Sequence, residues 1–200
     1  MKRRNSGLTL AETLVGAFVF GLLLAALFGV FRLGATAWQQ GTTRTDLLQS
    51  CQVVTGRFGR DAERSTVASV SLGPGGNGVA FLSPIDANGV FQYDETTVEP
   101  RWQHYVVYYY DAATKGIYRR EVSVVGSAQE TTAAPIETFS GGPINSFFNG
   151  GHKLASDITA CTFVLTPDNR LGLTCTATKD RYGASTPEQV TITTMAHLRN

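Results

Sequence analysis

The sequence predicts an α+β fold in which one long N-terminal helix leaves a membrane, continues into a domain and packs there on antiparallel β-sheet. Three observations predict it. Thr13–Phe31 is a run of 19 residues with no charge and no proline. Apolar residues then recur at Leu47, Cys51, Val54, Phe58 and Ala62, the spacing of one helical face. Beyond Gly78 the period changes to that of strands separated by turn residues.

The apolar run comes first. As a helix it spans roughly 28 Å, about the hydrocarbon thickness of a bilayer. It follows the basic cluster Lys2, Arg3 and Arg4, so it is read as a membrane segment rather than a buried core helix. The cluster holds the N-terminus in the cytoplasm, and everything after Arg32 is expected outside it. The chain carries 17 Lys and Arg against 16 Asp and Glu. Removing Lys2, Arg3 and Arg4 leaves 14 basic side chains against 16 acidic ones, so nothing points to nucleic acid as a partner.

Glu12 is the one charge between Leu8 and Phe31, and it separates three readings of the N-terminus. A secretory signal would find a small-x-small cleavage site at Ala35-Thr36-Ala37, but its apolar core is normally shorter. A plain signal anchor tolerates the length and gives no reason for the acid. A carboxylate at bilayer depth costs about 2.5–3.5 kcal/mol on insertion scales, which makes Glu12 a functional residue by default. No cation lies within Thr13–Phe31, so its partner is expected from a terminus or from another chain.

The third reading accounts for both the length and the acid. Ser6-Gly7-Leu8-Thr9-Leu10-Ala11-Glu12 resembles the class III signal of type IV prepilins, a Gly followed by an apolar residue, Thr, Leu, a small or apolar residue and then Glu. Leu8 stands where Phe is commonest, and Ala11 where Ile is. The resemblance implies that a prepilin peptidase cuts between Gly7 and Leu8 and methylates the new amine of Leu8. Glu12 becomes the fifth residue of the mature chain, the acid that in this family meets the N-terminal amine of a neighbouring subunit.

The helix is expected to run on from about Leu8 to Thr66, with Gly41, Gly56 and Gly59 as weak points where a kink is allowed. Cys51 lies on its packed face and is read as a small buried apolar residue. Gly73–Gly78 is a loop without the Gly-Lys-Ser/Thr ending of a phosphate cradle. Strands are expected at Val79–Leu82, Val90–Tyr93, Trp102–Tyr110 and Ile117–Val125, the last two joined by a turn at Asp111–Gly116. Tyr105, Tyr108, Tyr109 and Tyr110 are read as sheet residues under a helix rather than as a ligand platform. Residues 126–157 read as irregular, anchored by Phe139, Phe147 and Phe148. A second hairpin, Ile158–Thr166 and Leu171–Thr178, turns at Pro167–Arg170, and a last strand runs from about Gln189 to His197. With a three-residue loop at 167–169, one of two or three possible registers, Cys161 faces Cys175, and a cross-strand disulfide is expected there.

Several stretches look like one branch of the pilin superfamily, the J-type minor pseudopilins of type II secretion and the PilW-like minor pilins. Arg57–Ser65 resembles the end of their long helix, and Tyr105–Arg119 resembles their first hairpin, with Ile117 for Leu and Arg119 as the closing Arg. The Ile158–Thr178 hairpin and Leu198-Arg199-Asn200 are similar too. The resemblance implies a pilin-like fold with a leader at 1–7, a transmembrane or filament-core helix at 8–33, its outer half at 34–66 and a β-rich head at 67–200. It implies a minor pilin or pseudopilin, a structural subunit of a type IV pilus or type II secretion pseudopilus. The expected location is the inner membrane in a single pass, then a filament. The implied partners are prepilin peptidase, major and other minor pilins or pseudopilins, the inner-membrane assembly platform, and membrane lipid before assembly. In such families the tip subunit of the secretion pseudopilus usually lacks the acid at mature position five, so Glu12 argues against that role.

No enzyme is expected, and no cofactor. His104, His152 and His197 fall in a strand, a glycine loop and a terminal strand, without metal-ligand spacing or a nucleophile elbow. Asp94, Glu95 and Glu99 read as an acidic surface loop. The alternative is an anchored adhesion or DNA-uptake module using loops within 126–157. A membrane-anchored hydrolase with a site assembled only in three dimensions is the third possibility.

Overall fold

The computed structural model describes residues 9–124, 130–140, 142–181 and 185–199. A single helix, α1 (Leu10–Ala62), is 53 residues long and contacts two antiparallel sheets. The first sheet orders β1 (Ser71–Leu72), β2 (Gly78–Ser83), β3 (His104–Asp111), β4 (Gly116–Ser123) and β5 (His152–Ala155) side by side. The second joins β6 (Ile158–Leu165), β7 (Arg170–Lys179) and β8 (Glu188–His197). This is the expected α+β arrangement, a long apolar N-terminal helix packed at its far end on antiparallel sheet.

The helix starts on a capping box. Thr9 Oγ1 accepts from Glu12 N, while the Glu12 carboxylate accepts from Thr9 N, so two donors that the first turn leaves free are satisfied reciprocally. From there it runs unbroken through Gly41, Gly56 and Gly59 to Ala62. At those three glycines an added Cβ would meet nothing within 4 Å, so packing does not demand them. The outer half buries Leu47, Cys51, Val54, Phe58 and Ala62, the five residues of the expected face, together with Thr55. The helix ends four residues short of Thr66. There the C-terminal segment clips it, with Arg199 N donating to Ser65 O at 2.9 Å and Val67 N to Arg199 O at 3.2 Å.

The core has two compartments, because the first sheet is covered on both faces. Val79, Phe81, Val106, Tyr108 and Ile117 face α1 and the second sheet. Ala80, Leu82, Tyr105, Val107 and Tyr109 face the other way, onto Trp102, Ile136 and Ile144. Double burial explains why Tyr105–Tyr109 reads as an unbroken apolar and aromatic run rather than an alternating one. Tyr105, Tyr108 and Tyr109 are buried and Tyr110 is half-buried, so they serve the sheet as expected. The second sheet is covered on one face only, and β8 accordingly alternates half-buried and exposed residues from Glu188 to Met195.

Two expectations need correction, the strand at 90–93 and the irregularity of 126–157. Val90–Tyr93 is not a strand; it makes isolated bridges, Ile85 to Phe91 and Tyr93 to Pro100, in a loop organised by Asp86 and Asp94 side chains on nearby amides. The loop at Gly73–Gly78 is preceded by the two-residue strand β1 and contains a 3-10 turn at Pro74–Gly76. The irregular stretch 126–157, of which 126–129 and 141 lie outside the described residues, holds a short helix α2 (Ile136–Ser140), a 3-10 turn at Ile144–Phe147 and the strand β5. These elements are too short for periodicity to announce them. Cys161 and Cys175 are paired in register across β6 and β7, as the turn geometry suggested, but Cys51, Cys161 and Cys175 are all free thiols. The sulfur contact that Cys175 makes is with Cys51, at 3.7 Å.

One polar network crosses the helix–sheet boundary. Asp61 on α1 accepts from the Tyr108 hydroxyl at 2.7 Å and from Arg119 Nε at 2.8 Å. Arg119 also donates to Glu121 at 2.5 Å. The Arg119 and Asp61 side chains are 12% and 17% exposed, so little water is present to replace a lost partner. Burial and the adjacent Asp61 carboxylate push the Tyr108 phenol well above its ordinary range and keep it a donor. Arg119→Met is expected to cost about 3 kcal/mol, because Asp61 keeps its charge and loses its cation. The triple variant Asp61→Leu, Arg119→Met and Tyr108→Phe should recover most of that loss in a denaturant titration, because it leaves no buried charge or Tyr108 donor without its partner. If the single and triple variants were equally unstable, the ion pair itself would be needed rather than merely needing to be whole.

Candidate functional site

The functional candidates lie along α1, and the helix divides into two physical regimes. Every residue from Thr9 to Ala35 is exposed, and the first fully buried residue is Leu47. The 37 residues Leu10–Asp46 therefore make about 55 Å of helix without a buried side chain. Within it Thr13–Phe31 shows water nothing but apolar side chains, small residues and the Thr13 hydroxyl; Leu27 is 66% and Phe31 74% exposed. A surface of this size is not left in water by a stable protein. The helix is long and apolar enough to cross a membrane.

Just beyond the apolar run stand Arg32 and, one and a half turns later, Trp38, which is 78% exposed. A cation and an indole at this depth suit a membrane–water interface. Next comes a polar collar where the head first meets the helix. Arg181 donates to Gln40 Oε1 at 2.7 Å, Lys179 lies 3.4 Å from Asp46, and Glu188 lies 3.9 Å from Arg44 and 3.4 Å from Arg181. Such surface pairs contribute about 0–1 kcal/mol each, so they orient the helix more than they hold it. The apolar face from Leu47 to Ala62 does the holding.

At the N-terminal end of α1, Glu12 has partners that the sequence analysis left unassigned. Its carboxylate lies 2.9 Å from Thr9 N and 3.0 Å from Thr9 Oγ1, on the positive end of its own helix dipole. The carboxylate is thus satisfied within one chain, and a neighbour's amine would be an additional partner rather than the first. Thr9 and Glu12, three residues apart, are recognisable as a capping box from their spacing alone. Gly7 and Leu8, the expected cleavage junction and methylation site, lie outside the described residues.

The remaining candidates are scattered. His104 sits on β3, 3.8 Å from Glu121, and burial lowers its pKa from the ordinary value. His152 lies on β5 in an open cleft with Arg57, Arg119, Arg120 and Glu121, where Asp61 and Glu121 neutralise Arg119 and the Asn149 carbonyl engages Arg120. His197 closes β8. Asp94 spends its carboxylate on the amides of Thr96 and Thr97, in the acidic loop with Glu95 and Glu99. Among the described residues no three His, Cys, Asp or Glu side chains are grouped so as to hold a metal ion. Comparison of the chain with protein-family models, with curated proteins and with solved structures finds no match.

Proposed function

We propose that this chain is a minor pilin or pseudopilin, a membrane-anchored structural subunit that enters an extracytoplasmic filament and carries out no reaction. The observation that carries the proposal is the division of α1. One continuous helix is apolar and wholly exposed over its inner half, capped by an acid at Glu12, and buried against a β-rich head over its outer half. A simple anchor has no use for a rigid helix that joins span and head without a hinge. A filament subunit does, because neighbouring spans must pack together while the heads keep a fixed offset. In the membrane Thr13–Phe31 would face lipid, and in the filament it would face the helices of other subunits. The apolar surface then changes partners without meeting water. Lys2, Arg3 and Arg4 would hold the leader in the cytoplasm, and the head would stand on the other side.

Processing tests the proposal. Co-expression with a prepilin peptidase should give a mature chain that begins at N-methyl-Leu8, read by intact mass and N-terminal peptide sequencing. Gly7→Val should leave the full-length precursor in the membrane, because a branched side chain does not fit where a hydrogen is expected. Cleavage after Ala37, or an uncut chain beside an active peptidase, would overturn the assignment.

A further inference from the structure

Three thiols meet where α1 crosses the second sheet. Cys51, from the buried face of the helix, and Cys175, from the central strand β7, are both 0% exposed, and their sulfurs are 3.7 Å apart. Cys161, on the neighbouring strand β6, is the register partner of Cys175 and is 8% exposed. Cys175 therefore has two possible partners, one across the sheet and one across the helix–sheet boundary, and it directs its sulfur to the helix. A disulfide needs the two sulfurs at about 2.05 Å, so the pair at 3.7 Å is in contact and must close further to bond.

We propose that Cys51 and Cys175 are oxidised to a disulfide that ties the outer half of α1 to the C-terminal sheet, with Cys161 remaining a thiol. The proposal rests on the head lying outside the cytoplasm, where disulfides persist. The oxidant would be a disulfide of the thiol-exchange class. A cysteine thiolate attacks it and releases one donor thiol; the second cysteine then attacks the mixed disulfide and releases the other. Two electrons and two protons leave the pair, and the donor becomes a dithiol. Neither sulfur of the pair is exposed in the folded state, so exchange must happen before α1 docks or during a local opening. Once formed, the bond is shielded from reductants. It links positions 124 residues apart, closing one covalent loop from the outer half of α1 to β7.

The test uses the full chain in detergent, reduced and then re-oxidised with glutathione disulfide, followed by alkylation of free thiols and non-reducing peptide mapping. The expected product has lost two hydrogens, contains a linked Cys51–Cys175 peptide and is alkylated at Cys161. Its thermal midpoint should fall by roughly 10 °C on reduction. Cys161→Ala should keep that sensitivity, and Cys51→Ala should remove it. A Cys161–Cys175 peptide, or three alkylated cysteines after oxidation, would overturn the proposal. The same mapping on protein acid-trapped directly from cells separates the two assumptions. If the bond forms in detergent but all three cysteines are thiols in the cell, it is the placement of the head outside the cytoplasm that fails, and oxidation in the cell fails with it.

Discussion

Phe58→Ala is expected to destabilise the head by about 3–5 kcal/mol, the range for emptying a buried aromatic position. Phe58 is 0% exposed and sits where the helix and both sheets converge. Its ring meets Tyr108 edge-on at 5.5 Å and Phe81 at 6.2 Å, both on the first sheet, and Phe163 on the second at 5.6 Å. Each such pair adds about 0.5–1.5 kcal/mol beyond the area it buries, so truncation removes more than one side chain's transfer energy. The cavity cannot collapse easily, because the three surrounding elements are held by separate hydrogen-bond ladders. A domain of this size has a total stability of about 5–15 kcal/mol, so the variant should remain folded only with a narrow margin. The measurement is a denaturant titration of the detergent-solubilised chain, followed by tyrosine fluorescence of the head. Gly56→Ala is the control: it lies two residues away with open space at its Cβ, and should raise stability by up to about 1 kcal/mol. A loss below 1 kcal/mol for Phe58→Ala would mean that the two sheets do not share a core through this ring.

The packed face of α1 was legible because a helix of this length repeats its signal: Leu47, Cys51, Val54, Phe58 and Ala62 are spaced four, three, four and four, and all five are buried. The second hairpin was legible from its turn, with Thr166 N donating to Arg170 O across Pro167, Asp168 and Asn169 and the Cys161–Cys175 register following. Register fixes which Cα atoms face each other and says nothing of where a sulfur points. The thiol at Cys51 comes from 124 residues away in sequence, so no local pattern could have joined it to Cys175. Asp61 and Arg119 show the same limit. Each belongs to a stretch that attracted notice separately, yet only the docking of α1 on β3 and β4 brings them to 2.8 Å. The short elements β1, α2 and β5 were missed because two to five residues hold too few repeats of a strand or helix period to stand out. At the inner end the acid stood out by its cost, while the hydroxyl three residues before it, which completes the capping box, went unread.

Replacing Glu12 with Leu is expected to lower incorporation into filaments by at least about tenfold, while insertion and the head stay intact. The membrane prefers Leu at this depth, and the head begins some 55 Å along the helix. Two roles are superimposed on this one carboxylate, and the structure allows them to be separated. The first is local: it closes the capping box with Thr9 and steadies the first turn. The second is the proposed one, a charge offered to the amine of a neighbouring subunit in a low-dielectric filament core, where a complementary charge is strongly favoured and a missing one strongly penalised. Glu12→Gln divides them. Glutamine serves in a capping box, so Thr9 keeps its partner and the helix keeps its start, but no charge remains for an amine to meet. Both variants should be cleaved and should reach the membrane at wild-type levels, confirmed on membrane fractions before filaments are sheared and the subunit quantified. If the charge acts in assembly, Gln and Leu fall together. If only Leu falls, the residue is there to begin the helix. If neither falls, Glu12 has no part in recruitment, and if cleavage fails in both, its role lies with the peptidase that removes the leader.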